Sequence, residues 1–167
     1  MRIFLVRHGD ADAEQPEGLG DEGRALTAKA RHAIGLHFAS LVSRMEGVGL
    51  VLTSPLVRTV QTAQILSLAI KHEGTLKAHR SLLPDMPVGT LDAVLAEHEG
   101  EDVVVVGHQP SMGAMAAHLL ALQNFPKPVA PGTVIGIERP ATVEGEVPTA
   151  TLLFYAAPGQ PLLEHVG

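Results

Sequence analysis

The sequence predicts an α/β domain built on a mostly parallel sheet that finishes in an antiparallel strand pair. Three observations predict it. Apolar runs suited to buried strands stand at Ile3–Val6, Leu50–Leu52 and Val103–Val106. Helically spaced apolar residues fill the segments between them, and strands separated by helices form parallel sheets with right-handed crossovers. The last third changes character: Thr133–Ile137 and Thr151–Tyr155 flank Pro140–Pro148, which reads as a loop between antiparallel strands. No internal repeat or linker divides the 167 residues, so one domain over residues 1–167 is expected.

Each element has a local reason. After the first strand, Leu26, Ala30, Ala33, Ile34, Phe38, Leu41 and Met45 fall near one face of a 3.6-residue period, with Thr27 as a cap. A second helix is expected to start at Ser54-Pro55, with Ser54 as N-cap and Pro55 in the first helical position. Its inward face is read as Val60, Ala63, Ile65, Leu66 and Ala69. Leu76–Ala78 reads as a short edge strand and Thr90–His98 as a short helix. After Val103–Val106, Ser111 is expected to cap a helix that points Met112, Met115, Ala116, Leu119 and Leu120 inward.

Composition narrows the function classes. The formal net charge of -6 argues against a long basic surface for nucleic acid or an anionic membrane, so any anion must be met by a local cluster. With no cysteine there is no disulfide, thiolate zinc site or cysteine nucleophile. Ile3–Val6 is too short for the apolar core of a secretory signal, and no stretch reaches the ~18 apolar residues of a membrane span. A cytoplasmic location is the resulting expectation.

The chemistry-bearing residues follow the strands. Ligands of open α/β sheets gather outside the carboxyl ends of the strands. Arg7-His8 follows the first strand, Thr53-Ser54 the second and Gly107-His108 a later one, so two histidines distant in sequence are expected to meet on one edge. Arg58 stands in the first turn of the second helix, where the macrodipole disfavours a cation. A broken local rule suggests a functional cause. Arg7, Arg58, His8 and His108 would form a cationic pocket suited to a phosphoryl group, because guanidinium forks match its oxygens. A neutral imidazole could attack phosphorus in line, and water could then hydrolyse the phosphoenzyme without a metal or other cofactor. Burial among cations should depress the His8 pKa and keep the ring nucleophilic.

RHG at 7–9, TSPLVRTVQTA at 53–63 and VVVVGH at 103–108 resemble the histidine phosphatase superfamily, which includes the phosphoglycerate mutases. The likeness is closest to its small bacterial phosphohistidine phosphatases, whose starts read like LVRHGDA. It implies a three-layer α/β/α, phosphoglycerate mutase-like fold. It also implies His8 as a transiently phosphorylated nucleophile, with Arg7, Arg58 and His108 around the phosphoryl group. Arg24, in GRALT, matches an RxLT-like element of that branch and is a candidate substrate contact, as is Gly9. Asp85, in LLPDMP, stands roughly where the family places a proton-donating acid, though in a different local motif. A phosphohistidine substrate depends less on such an acid, since its leaving imidazole can carry its own proton. The short stretch between the second helix and Val103 leaves little room for a helical cap, so an open site is expected. It would admit a histidine displayed on a phosphotransfer protein.

Other readings compete. A phosphomonoesterase or mutase acting on a small phosphorylated metabolite would use the same pocket, and a phosphate-binding module would use it without turnover. Asp10 and Asp12 with His8 and His108 imitate an H-x-D-x-D metal cluster, but two arginines better suit an anion. Ser111 is not in a G-x-S-x-G elbow, which disfavours a serine hydrolase. The remaining histidines are assigned no role.

Overall fold

The computed structural model describes residues 1–146 and 149–167. Among the described residues six strands form one sheet in the order β3-β2-β4-β1-β5-β6. The parallel part comprises β1 (Arg2–Arg7), β2 (Leu50–Thr53), β3 (Thr75–Ala78) and β4 (Val103–Gly107), while β5 (Val134–Glu138) and β6 (Thr151–Ala156) run antiparallel at the other side. The apolar runs are continuous rather than alternating because β1, β2 and β4 are covered on both faces. Phe4, Val6, Val51, Val104 and Val106 pack under α1 (Ala28–Ala39) and α2 (Val57–Ala69). Ile3, Leu5, Leu52, Val103 and Val105 face the other way, under α3 (Val88–Ala96) and α4 (Ser111–Leu119). The result is the expected three-layer α/β/α arrangement, with β3 at an edge. The expected loop at Pro140–Pro148 joins β5 to β6, and its last two residues lie outside the described residues.

Several boundaries differ from expectation. Thr27 caps α1, its hydroxyl accepting from the Ala30 N–H at 3.0 Å. Leu26, Leu41 and Met45 are buried but flank the helix, and Ala33 is exposed. α2 begins at Val57, two residues beyond the expected start, with Leu56 at the cap position. Ser54 is drawn away from capping because its hydroxyl lies against His108. The buried side of α2 carries Arg58, Thr59, Thr62, Ala63 and Leu66, whereas Val60, Ile65 and Ala69 are only half-buried. α3 starts two residues earlier than expected, after Pro87. In α4, Ser111 is the first helical residue and not the cap; the Gln109 side-chain oxygen instead accepts from the Gly113 N–H at 2.7 Å. Leu119 and Leu120 are half-buried.

The topology positions the site. β1 and β4 are parallel neighbours with Arg7 opposite Gly107. The helix after β1 covers one face of the sheet and the helix after β4 covers the other. Their connections part at the carboxyl ends, which opens a crevice between them. His8 and His108 are the next residue on each strand.

Candidate active site

The backbone carries both histidines to the crevice. His8 N–H donates to the Gly107 carbonyl at 3.1 Å, extending the β1–β4 register by one residue. The two imidazoles meet edge to face with centroids 5.3 Å apart. Ser54 is held beside them by its own N–H donating to Val106 at 3.0 Å. Arg7, His8, Asp10, Arg24, Arg58 and His108 line a cleft of about 280 Å³, with Ala11, Pro84, Gln109 and Pro131 at its walls.

The His8 tautomer follows from its partner. Nδ1 lies 2.6 Å from the Gly9 carbonyl, which can only accept, so Nδ1 carries the proton and Nε2 keeps its lone pair. Nε2 has no protein partner among the described residues. Burial lowers the His8 pKa to about 4, helped by Arg58, Arg7 and Arg24 and opposed by the Gly9 hydrogen bond. The ring is therefore neutral at pH 7. Gly9 is fixed from behind, its N–H donating to Thr62 Oγ1 at 3.1 Å while that hydroxyl donates to the Arg58 carbonyl at 2.8 Å. A side chain at Gly9 would come within 3.3 Å of Ile34. Gly9 thus orients His8, and its N–H is already engaged away from the cleft.

The cations are arranged differently. Arg7 donates through Nη1 to Val129 at 2.9 Å, and burial lowers its pKa. Arg58 is 5% exposed and pairs with Asp21, Nη1 to its carbonyl and Nη2 to its carboxylate, each at 3.0 Å. Arg24 binds the same carboxylate through Nε at 2.7 Å. Those contacts, Arg24 first, hold the Asp21 carboxyl below its ordinary value. The Nε donors of Arg7 and Arg58 are buried without an acceptor among the described residues. Unpaired buried donors are costly, and the guanidinium groups that carry them flank one cleft, where their positive charge favours an anion.

His108 is nearly sealed, 3% exposed, with Nε2 2.8 Å from Ser54 Oγ. Burial first, then His8 and Arg58, depress its pKa to about 3, against a raising influence from Asp21. Both histidines are accordingly neutral at neutral pH.

Of the sequence-derived candidates, the fold gathers His8, Arg7, Arg58, His108 and Arg24. Asp85 is exposed at φ +65° in the turn before α3 and does not line the cleft, although its neighbour Pro84 does. Asp10 is the carboxylate beside His8 in the lining. Asp10, Asp12 and the two histidines do not form a metal-holding group among the described residues. Sequence reasoning missed Asp21, Ser54 and Thr62. Asp21 stands three residues before Arg24, an oppositely charged spacing that was there to be read. Ser54 was placed on the right edge of the sheet but given only the role of a helix cap.

Comparison with known proteins adds the family. A profile of the histidine phosphatase superfamily (branch 1) matches residues 3–82. An uncharacterised protein of Picosynechococcus sp. is 35% identical over 127 residues, covering 70% of this chain and 71% of that protein. The structure of the protein histidine phosphatase SixA complexed with tungstate superimposes with a TM-score of 0.81 at 24% identity, over 95% of this chain and 97% of that one. A mycobacterial glucosyl-3-phosphoglycerate phosphatase complexed with VO3 gives 0.63 at 17% identity, over 90% and 96%. At these identities the two structural likenesses concern the fold. Among the described residues no helix is long and apolar enough to cross a membrane.

Proposed function

Since this chain belongs to the histidine phosphatase superfamily, we propose that it hydrolyses phosphohistidine on a phosphotransfer protein through a phosphoenzyme on His8. The carrying observation is the His8 Nε2 lone pair, freed by the Nδ1–Gly9 hydrogen bond and set among three arginines. Nε2 attacks phosphorus in line as the substrate P–N bond breaks, and the leaving imidazole keeps that electron pair and its own proton. Positive charge grows on the His8 ring, where the Gly9 carbonyl dipole stabilises it. Arg7, Arg58 and Arg24 stabilise the equatorial oxygens. Water then attacks phosphorus, the P–Nε2 bond breaks with its electron pair returning to the His8 ring, and phosphate leaves carrying the water's oxygen and both its protons. No step needs a metal or cofactor.

Two features support a protein-borne substrate. The chain between α2 and β4 is spent on β3, a 3-10 turn at Arg80–Leu82 and α3, and α3 packs against the core beside α4. That segment contributes Pro84 to the cleft wall and no helical residue to its lining. Asp85 stands outside the lining, in keeping with a leaving group that brings its own proton. A second reading, hydrolysis of a small phosphate ester, is favoured by Asp10, which lines the cleft and carries a carboxyl group that could serve a leaving alkoxide. The test compares turnover of a phosphohistidine protein with that of small phosphate esters, in the intact chain and in His8→Ala. Acid-labile, alkali-stable label on His8 with preference for the phosphoprotein is the expected result. Full turnover in His8→Ala would overturn the mechanism, and preference for esters would select the second reading.

A further inference from the structure

We infer that Ser54 is a positioning residue that holds His108 in the Nδ1–H tautomer, so that a neutral His108 presents an N–H to the phosphoryl group. The inference rests on the proposed function for the use of that N–H, but not for the place of the proton.

The argument begins with hydroxyl accounting. Ser54 is fully buried, and its Oγ has two neighbours: the Leu56 N–H, which donates to it at 3.4 Å, and His108 Nε2 at 2.8 Å. A serine hydroxyl carries one proton and needs one acceptor. Ser54 Oγ pairs with no carbonyl among the described residues: its own carbonyl is met by Thr53 Oγ1 at 3.0 Å, and Thr59 Oγ1 lies 2.9 Å from that carbonyl and 2.8 Å from the Leu56 carbonyl. Among the described residues, His108 Nε2 is the acceptor in reach of the Ser54 proton. Were Nε2 protonated, it would donate to Oγ and leave the hydroxyl proton without a partner in a sealed position. The direction Oγ–H to Nε2 satisfies both groups, and a ring accepting at Nε2 carries its proton on Nδ1.

Orientation completes the argument. With Nε2 turned onto Ser54, the opposite edge of the ring carries Nδ1. Nδ1 has no protein partner among the described residues and is not one of the sealed, unpartnered side-chain nitrogens, so it is open to the cleft that His108 lines. Burial and the neighbouring cations keep the ring neutral, hence its donor capacity depends on which nitrogen bears the single proton. The two histidines then share the Nδ1–H tautomer but turn opposite nitrogens to the cleft: His8, backed at Nδ1 by a carbonyl, offers the Nε2 lone pair, and His108, backed at Nε2 by a hydroxyl, offers the Nδ1–H. One is suited to attack and the other to stabilise charge.

The test is nitrogen-15 NMR of histidine-labelled protein at pH 7, with His108→Asn to assign the signals. Pyrrole-type Nδ1 and pyridine-type Nε2 at His108 are expected, moving toward the opposite pattern in Ser54→Ala. In single-turnover assays the same variant should slow phosphoryl transfer about tenfold with KM little changed, below the full cost of losing an oxyanion donor. A pyridine-type Nδ1 in the unaltered protein, or an unchanged tautomer in Ser54→Ala, would overturn the inference whatever the activity. Absence of activity toward any phosphorylated substrate would instead count against the proposed function, leaving the tautomer measurement standing.

Discussion

β1 begins and ends in arginine, and the two ends treat that residue in opposite ways. At the amino end Arg2 is saturated. Its backbone N–H and Nε donate to Asp102 at 2.7 and 2.9 Å, Nη1 reaches the Arg44 carbonyl at 3.1 Å, Nη2 reaches Glu46, and the guanidinium lies over Phe4. At the carboxyl end Arg7 makes, among the described residues, one side-chain hydrogen bond, to Val129, and keeps a buried Nε donor unpaired. Between them the strand is a sealed apolar run. The difference separates a cation that closes a structure from one that lines the cleft: the first spends its donors on carbonyls and a carboxylate, and the second faces the cleft with few protein partners.

The comparison can be broken most severely at the carboxyl end. Replacing His8 by alanine should remove turnover by about 10⁴-fold or more, as loss of a nucleophile does, with the urea midpoint little moved. Arg58→Ala should slow single-turnover phosphoryl transfer by roughly 10²–10³-fold on phosphohistidine and ester substrates alike, because charge grows on the phosphoryl oxygens whichever group departs. Arg7→Met should lose a similar factor while stability stays within about 1 kcal/mol, since the change removes an unsatisfied donor along with one hydrogen bond. If Arg7→Met unfolds the protein, the contrast between the two strand ends fails.

Arg2→Ala sharpens the contrast from the other side. Activity per folded molecule should be unchanged, and stability should fall by about 1–3 kcal/mol, the partly exposed pair with Asp102 contributing less than a sealed one. Denaturant titration alongside the activity assay checks both halves.

Acidification probes the carboxyl end as a whole. In the unfolded chain both histidines take up protons near 6.5, whereas the native state resists until about 4 at His8 and about 3 at His108. The unfolded state therefore binds more protons within that window, and stability should fall as pH drops from about 6.5 toward 3. His8→Asn with His108→Asn should flatten that part of the profile, and an unflattened profile would show that the histidines are not the buried bases described. The phosphorylation rate should likewise hold level above pH 5 and decline as His8 protonates near 4. The smallest effect is expected at Asp85: Asp85→Asn should fall well short of the ~10²–10⁴-fold of a lost general acid on phosphohistidine, because its side chain stands outside the cleft. A hundredfold loss there would favour ester hydrolysis and an acid that closes over the cleft.

Much of this was readable before any coordinates. Continuous apolar runs at Ile3–Val6 and Val103–Val106 identify strands buried on both faces, and the periodic segments between them make the sheet parallel. That alone requires Arg7-His8 and Gly107-His108 to open on one edge. Thr27 as a cap was equally legible, because a cap is a contact over three residues. Ser54 was misread for the same reason that Thr27 was read correctly: a hydroxyl before a helix looks the same whether it bonds to the next turn or to an imidazole 54 residues away.

The amino-acid order by itself determined the layers, the strand ends and the identity of the cationic residues, since these depend on local periodicity and on connection rules. Only the tertiary structure decided which arginine is saturated and which keeps free donors. It also decided that Asp21 bridges Arg24 and Arg58, that Asp10 and not Asp85 lines the cleft, and that each histidine is held by a different backing group. Hydrogen bonds are short and directional, so these partners are set by the packing of segments far apart in the chain. A tautomer is settled by whichever atom that packing places within 3 Å of the ring.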